Sequence, residues 1–94
     1  MSDPKEISVR VPDALVGGVY ANEMIVRHTR EEFLIDFVHL VPPAGVVNAR
    51  VVVSPGHLKR IVAALGENLR RYEERFGPIR EAQVPTPAKS SMTN

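Results

Sequence analysis

The stretch Ser54-Pro-Gly-His-Leu-Lys-Arg-Ile-Val-Ala-Ala-Leu-Gly-Glu-Asn-Leu-Arg-Arg-Tyr-Glu-Glu-Arg-Phe-Gly-Pro78 decides the fold. Ser54 suits an N-cap, because its hydroxyl can accept from a free N–H of the first turn. Pro55 suits the first helical position, where no N–H is needed. Gly77 offers a positive-φ stop, and Pro78 forbids continuation. Between them Leu58, Ile61, Val62, Leu65, Leu69, Tyr72 and Phe76 recur at three- and four-residue spacing. That spacing predicts a helix over Pro55–Phe76 with one apolar stripe. Lys59, Arg60, Glu67, Arg70, Arg71, Glu74 and Arg75 lie mostly off the stripe, toward water.

Upstream the period changes to two. Ile7, Val9 and Val11 alternate with Glu6, Ser8 and Arg10, the pattern of a half-buried first strand. Pro12–Asp13 and Gly17–Gly18 bracket a turn. Val19–Arg27 reads as a second strand with a polar residue on each face, which suggests a wet end or a bulge. His28–Glu32 reads as a hairpin loop. Phe33–Val41 is a third strand. Phe33, Ile35, Phe37 and Val41 point one way; Leu34, Asp36, Val38 and Leu40 point the other. Pro42–Pro43 ends it, and Gly45 is expected to let the chain reverse. Val46–Val53 is a fourth strand leading into the helix. The short gaps make an antiparallel meander the expected arrangement, since a parallel pair needs a crossover of about a dozen residues or more.

The expected fold is therefore α+β: a four-stranded antiparallel sheet followed by one long C-terminal helix packed on one face. Residues 1–78 make a single domain. Residues 79–94, rich in Pro and Ser and poor in large apolar groups, read as a disordered tail.

Composition narrows the function classes. The chain has 94 residues, a net charge of +1 and no Cys. Near-neutral charge gives no global pull toward nucleic acid or anionic membrane. Without Cys there is no disulfide framework or thiolate metal site. The polar N-terminus does not read as a secretory signal, and no apolar run approaches the roughly 20 residues needed to span a bilayer. A cytoplasmic protein with no membrane partner is the expectation.

A single helix can shelter one face of a sheet, whereas the third strand is apolar on both. Met24, Ile25, Leu34, Val38, Leu40 and Val52 are the candidate surface for a second copy, most simply a twofold homodimer.

No constellation of residues carries a chemistry. His28, His39 and His57 are far apart and lack metal-ligand spacing, so no metal and no cofactor is expected. Asp36, in an apolar strand, reads either as a binding carboxylate in a cleft or as a structural group, at a wet edge or paired with Arg50 or Arg27 on the flanking strands; the structural reading is the expectation. Ser54-Pro-Gly-His57 has free N–H groups but not the spacing of a phosphate loop, and capping explains it. Glu67/Arg71 and Arg70/Glu74 fall at i,i+4, the spacing of a self-paired solvated face. Arg10, Arg27, Arg50, Lys59 and Arg60 are the candidate basic patch for nucleic acid. Stacking platforms for bases are scarce, with two Tyr and three Phe.

The ordered motifs Val19-Tyr-Ala-Asn22, Glu32-Phe-Leu-Ile-Asp-Phe37, Pro42-Pro43, Ala49-Arg-Val-Val-Val-Ser-Pro55, His57-Leu-Lys59 and Leu65-Gly-Glu-Asn-Leu-Arg-Arg-Tyr-Glu-Glu-Arg-Phe-Gly77 resemble an uncharacterised bacterial and archaeal family, domain of unknown function DUF3467. The resemblance spans Val19 to Gly77. It implies no activity, cofactor or catalytic residue. Its motif residues look like core, turns and helix caps, which suits an interaction module better than an enzyme. The reading is a small oligomeric, non-enzymatic adaptor that binds another protein. The alternative is a nucleic-acid-binding protein with a basic face assembled across a dimer.

Overall fold

The computed structural model describes residues 6–85. The start of the chain and most of the expected tail lie outside the described residues, and residues 79–84 carry no regular structure. Strands β1 (Glu23–His28), β2 (Phe33–Val41) and β3 (Ala44–Val53) precede helix α1 (Pro55–Phe76). The sheet is antiparallel in the order β1-β2-β3, so β2 is central. The α+β class and the meander are as expected.

Among the described residues three strands form, not four. Ile7 and Val9 are exposed and belong to no ladder. Alternation makes a segment amphipathic, but a strand also needs a neighbouring edge to bond. The chain instead passes through a short 3-10 turn at Asp13–Leu15, closed by the Gly18 N–H on Leu15 O at 3.0 Å. Gly18 has φ 71°, where a side chain would be strained.

The second strand starts four residues later than the sequence suggests, because Val19–Asn22 has another task. The Asn22 side chain accepts from Leu40 N at 2.8 Å and donates to Leu40 O at 3.0 Å, standing in for a strand residue. Two residues earlier, Tyr20 O accepts from the Asn48 side chain on β3 at 2.7 Å, and the Tyr20 ring meets His39 edge-on at 5.1 Å. The segment thus crosses over β2 from one edge of the sheet to the other.

The bulge lies in β3. Phe37 faces Ala49 but Val38 faces Val47, which leaves Asn48 as the extra residue, free to bond Tyr20. Gly45 does not make the reversal; Pro42–Pro43, joined by a cis peptide bond, turn the chain, and Gly45 sits within β3 opposite Leu40. A Cβ on Gly45 would stand 2.6 Å from Leu40 Cδ1, so any larger residue there must displace the Leu40 side chain.

Helix α1 has the bounds the sequence predicts. The Ser54 side chain accepts from His57 N at 3.1 Å. Gly77, at φ 95°, closes the far end through its N–H on Glu73 O at 2.9 Å. The helix does not, however, pack along the sheet. Leu58 and Ile61 are half-buried, and the rest of the stripe is bare: Val62 is 62 % exposed, Leu65 66 %, Leu69 50 %, Tyr72 50 % and Phe76 66 %. Among the described residues the core is small: Ile35, Val38 and Leu40, all on β2. The Cα radius of gyration is 16.9 Å, against about 12 Å for a compact chain of this length.

Candidate interaction surface

Strand pairing sorts the side chains onto two faces, since residues paired across an antiparallel ladder share a side. On one face Leu34, Asp36, Val38 and Leu40 of β2 lie between Ile25 and Arg27 of β1 and Val52, Arg50 and Val47 of β3. On the other, Phe33, Ile35 and Phe37 lie between Met24 and Val26 and Ala49, Val51 and Val53.

The first face is built around a charge. Asp36 is only 2 % exposed. Arg50 grips it in a fork, Nε to Oδ1 at 2.7 Å and Nη2 to Oδ2 at 2.9 Å, and Arg27 Nη2 reaches Oδ2 at 3.2 Å. Each arginine stands on the strand next to Asp36, as the sequence suggested. The hydrogen bonds from Arg50 hold the Asp36 carboxyl below its ordinary pKa; burial opposes this, and the charges of Arg50 and Arg27 add to it. The Arg50 guanidinium is correspondingly held above its own ordinary value, first by its hydrogen bond to Asp36. Both carboxylate oxygens are engaged by the two guanidiniums, so the group is a strand clamp with little capacity left for a ligand.

The second face is apolar throughout its middle. Ile35 is buried at its centre, ringed by exposed Met24, Val26, Phe37 and Val51. Tyr20 and His39 cap one end. At the other end His28 lies against Phe33, ring centroids 5.2 Å apart. Together with the stripe of α1, this leaves an unusual amount of apolar surface in water for a domain of this size.

The residues nominated from sequence for self-association divide between these faces. Val38 and Leu40 are buried within one chain, and Leu34 is half-buried. Ile25 and Val52 are exposed beside them, and Met24 lies on the opposite face. The bare stripe of α1 was missed, because from sequence alone it was assigned to the sheet.

The basic residues do not gather into one free patch. Arg27 and Arg50 share Asp36, Arg10 belongs to the irregular N-terminal segment, and Lys59 and Arg60 stand on the first turns of α1. Farther along α1, Arg70 pairs with Glu67 at 2.7 Å and with Glu74, and Arg71 pairs with Glu67 at 3.0 Å. Glu67 is held below its ordinary pKa, first by the Arg70 hydrogen bond and then by that from Arg71.

An open depression of about 400 Å³ at the β1–β2 loop is lined by Arg27, His28, Thr29, Glu32 and Leu34. It joins no nucleophile to a base. The Thr29 hydroxyl accepts from Glu31 N and Glu32 N at 3.2 and 3.3 Å, which is loop closure. Among the described residues, no group of three or more His, Cys, Asp or Glu could hold a metal ion, and no helix is long and apolar enough to cross a membrane.

Comparison with known proteins adds a family and nothing further. Residues 1–81 match the model of the family described as "Protein of unknown function (DUF3467)", and the chain belongs to that family. No curated protein and no solved structure matches it.

Proposed function

We propose that this member of the family is a self-associating, non-enzymatic interaction module that binds another protein through exposed apolar surface. The observation that carries the reading is the bare ring of Met24, Val26, Phe37 and Val51 around Ile35. Covering each large apolar side chain is worth about 1.5–3 kcal/mol, so a surface of this kind favours a protein partner over water. Three polar side chains that sequence or the surface depression brings forward are engaged in structure: Asp36 with two arginines, Ser54 in a helix cap, Thr29 in a loop. Self-association, most simply as a twofold dimer, supplies part of the missing cover.

The test uses Val26→Glu combined with Val51→Glu. Both positions are exposed, so the chain should still fold. A protein that co-purifies stoichiometrically with the natural chain from its native cell, and is lost with the double variant, supports the reading. A partner retained by the variant overturns it. Nucleic acid is the competing outcome, through Arg10, Lys59 and Arg60 with the partly neutralised Arg27 and Arg50. Filter binding that is tight at low salt and falls steeply as salt rises would favour it.

A further inference from the structure

The bare stripe of α1 has an internal order beyond amphipathicity. Leu58, Val62, Leu65, Leu69, Tyr72 and Phe76 alternate at steps of four and three over the whole helix. That is a heptad seam, with Val62, Leu69 and Phe76 at one core position and Leu58, Leu65 and Tyr72 at the other. Among the described residues nothing covers the seam beyond its first turn: from Val62 to Phe76 every member is at least half exposed. A helix meant to lie on a sheet needs a broader stripe and would be covered by it. A narrow seam fits a second helix of the same kind.

We infer that two copies of this chain pair through α1 as a two-stranded antiparallel coiled coil. The charges flanking the seam choose the direction. Lys59, Gly66 and Glu73 occupy one flanking column, a heptad apart. In an antiparallel pair that column faces itself, end to end reversed. Lys59 then meets Glu73 of the second copy, twice by symmetry, and the two Gly66 residues meet at the twofold axis. The core layers that follow are Leu58 on the second copy's Phe76, Val62 on its Tyr72, and Leu65 on its Leu69, each repeated. A parallel pair would bring together none of these opposite charges. Gly66 is the second observation. Glycine inside a helix costs about 1 kcal/mol relative to alanine, and here a Cβ would meet nothing within 4 Å of the chain. No contact among the described residues requires glycine there, and a small residue at the axis lets the two helices approach closely.

The proposal names the geometry of the self-association in the proposed function and rests on it. Sedimentation equilibrium of the full chain at low ionic strength tests both. The natural chain should show twice the 10.4 kDa protomer mass. Lys59→Glu and Glu73→Lys should each raise the dissociation constant about tenfold, since two attractions become two repulsions. The two changes combined should return it to near the natural value. Leu65→Asp should give a monomer whose β-sheet circular dichroism is unchanged, because Leu65 is bare within one copy. A monomeric natural chain would overturn self-association and this geometry together. A dimer indifferent to Leu65→Asp and to both charge reversals would leave self-association standing and overturn the helix pairing. A dimer that Leu65→Asp abolishes, but that the double reversal fails to restore, would overturn the antiparallel direction.

Discussion

Asp36 shows what one residue decides in a small sheet. It lies at the middle of the central strand, and both neighbouring strands send it a guanidinium. Its folded-state pKa lies below the unfolded value. Its contribution to stability is therefore fully present above the ordinary carboxylate pKa of about 4. It is lost as pH falls through the lower, folded value. Asp36→Asn keeps the shape but removes the charge that the arginines hold. The expected outcome is a lower urea midpoint at pH 7, and a midpoint less dependent on pH in the acid range than the natural chain's. Equal pH dependence in both proteins would show that other carboxylates carry the acid response. Gly45 makes a second residue-scale case. Gly45→Val would drive a branched side chain into Leu40, and overpacking of this kind costs about 1–3 kcal/mol. Denaturant titration at constant m-value reads it directly. The Asp36 clamp was legible from sequence because strands of fixed order place Arg27 and Arg50 beside it. The Gly45 contact was not, because it depends on one Leu40 rotamer.

At the scale of elements, α1 and the N-terminal segment mark the two limits. The helix was legible to the residue at both ends. Its cap, its first-turn proline and its glycine stop act within a few positions of one another, so sequence contains them all. Ser54→Ala should cost about 1 kcal/mol, seen as earlier loss of the helical circular dichroism signal on heating. The segment Ile7–Val11 has as clean an alternation as any strand here and forms none. Alternation is a property of one segment, whereas a ladder is a property of two. Substituting Val9, 89 % exposed, with Asp should change stability by no more than about 0.5 kcal/mol. A larger loss would mean that the segment docks on something in solution. The shift of the bulge into β3 has the same origin. Asn48 leaves the ladder because Tyr20 O is there to be bonded, and that meeting joins residues 28 positions apart.

At the scale of the whole molecule, the protomer is extended and its apolar surface is out of proportion to its core. Among the described residues three side chains form the buried apolar centre, a small core for a domain of this length. Stability should therefore depend on protein concentration: the thermal midpoint should rise measurably between low and high micromolar concentration, as mass action requires for a fold completed by association. A midpoint that is independent of concentration, with a monomeric mass, would mean that the isolated protomer is stable as it stands.

The sequence alone determined the α+β class, the antiparallel order of the strands it shares with the structure, both ends of the helix and the two candidate partners of Asp36. Each of these follows from local spacing or from adjacency along a meander, which the chain itself encodes. Only the tertiary structure decided that Ile7–Val11 stays unpaired, that Val38 and Leu40 are buried within one copy, and that α1 stands off the sheet. Those outcomes turn on which apolar surfaces reach each other across space. A stripe on a helix looks the same from sequence whether it is covered by the chain's own sheet or left bare.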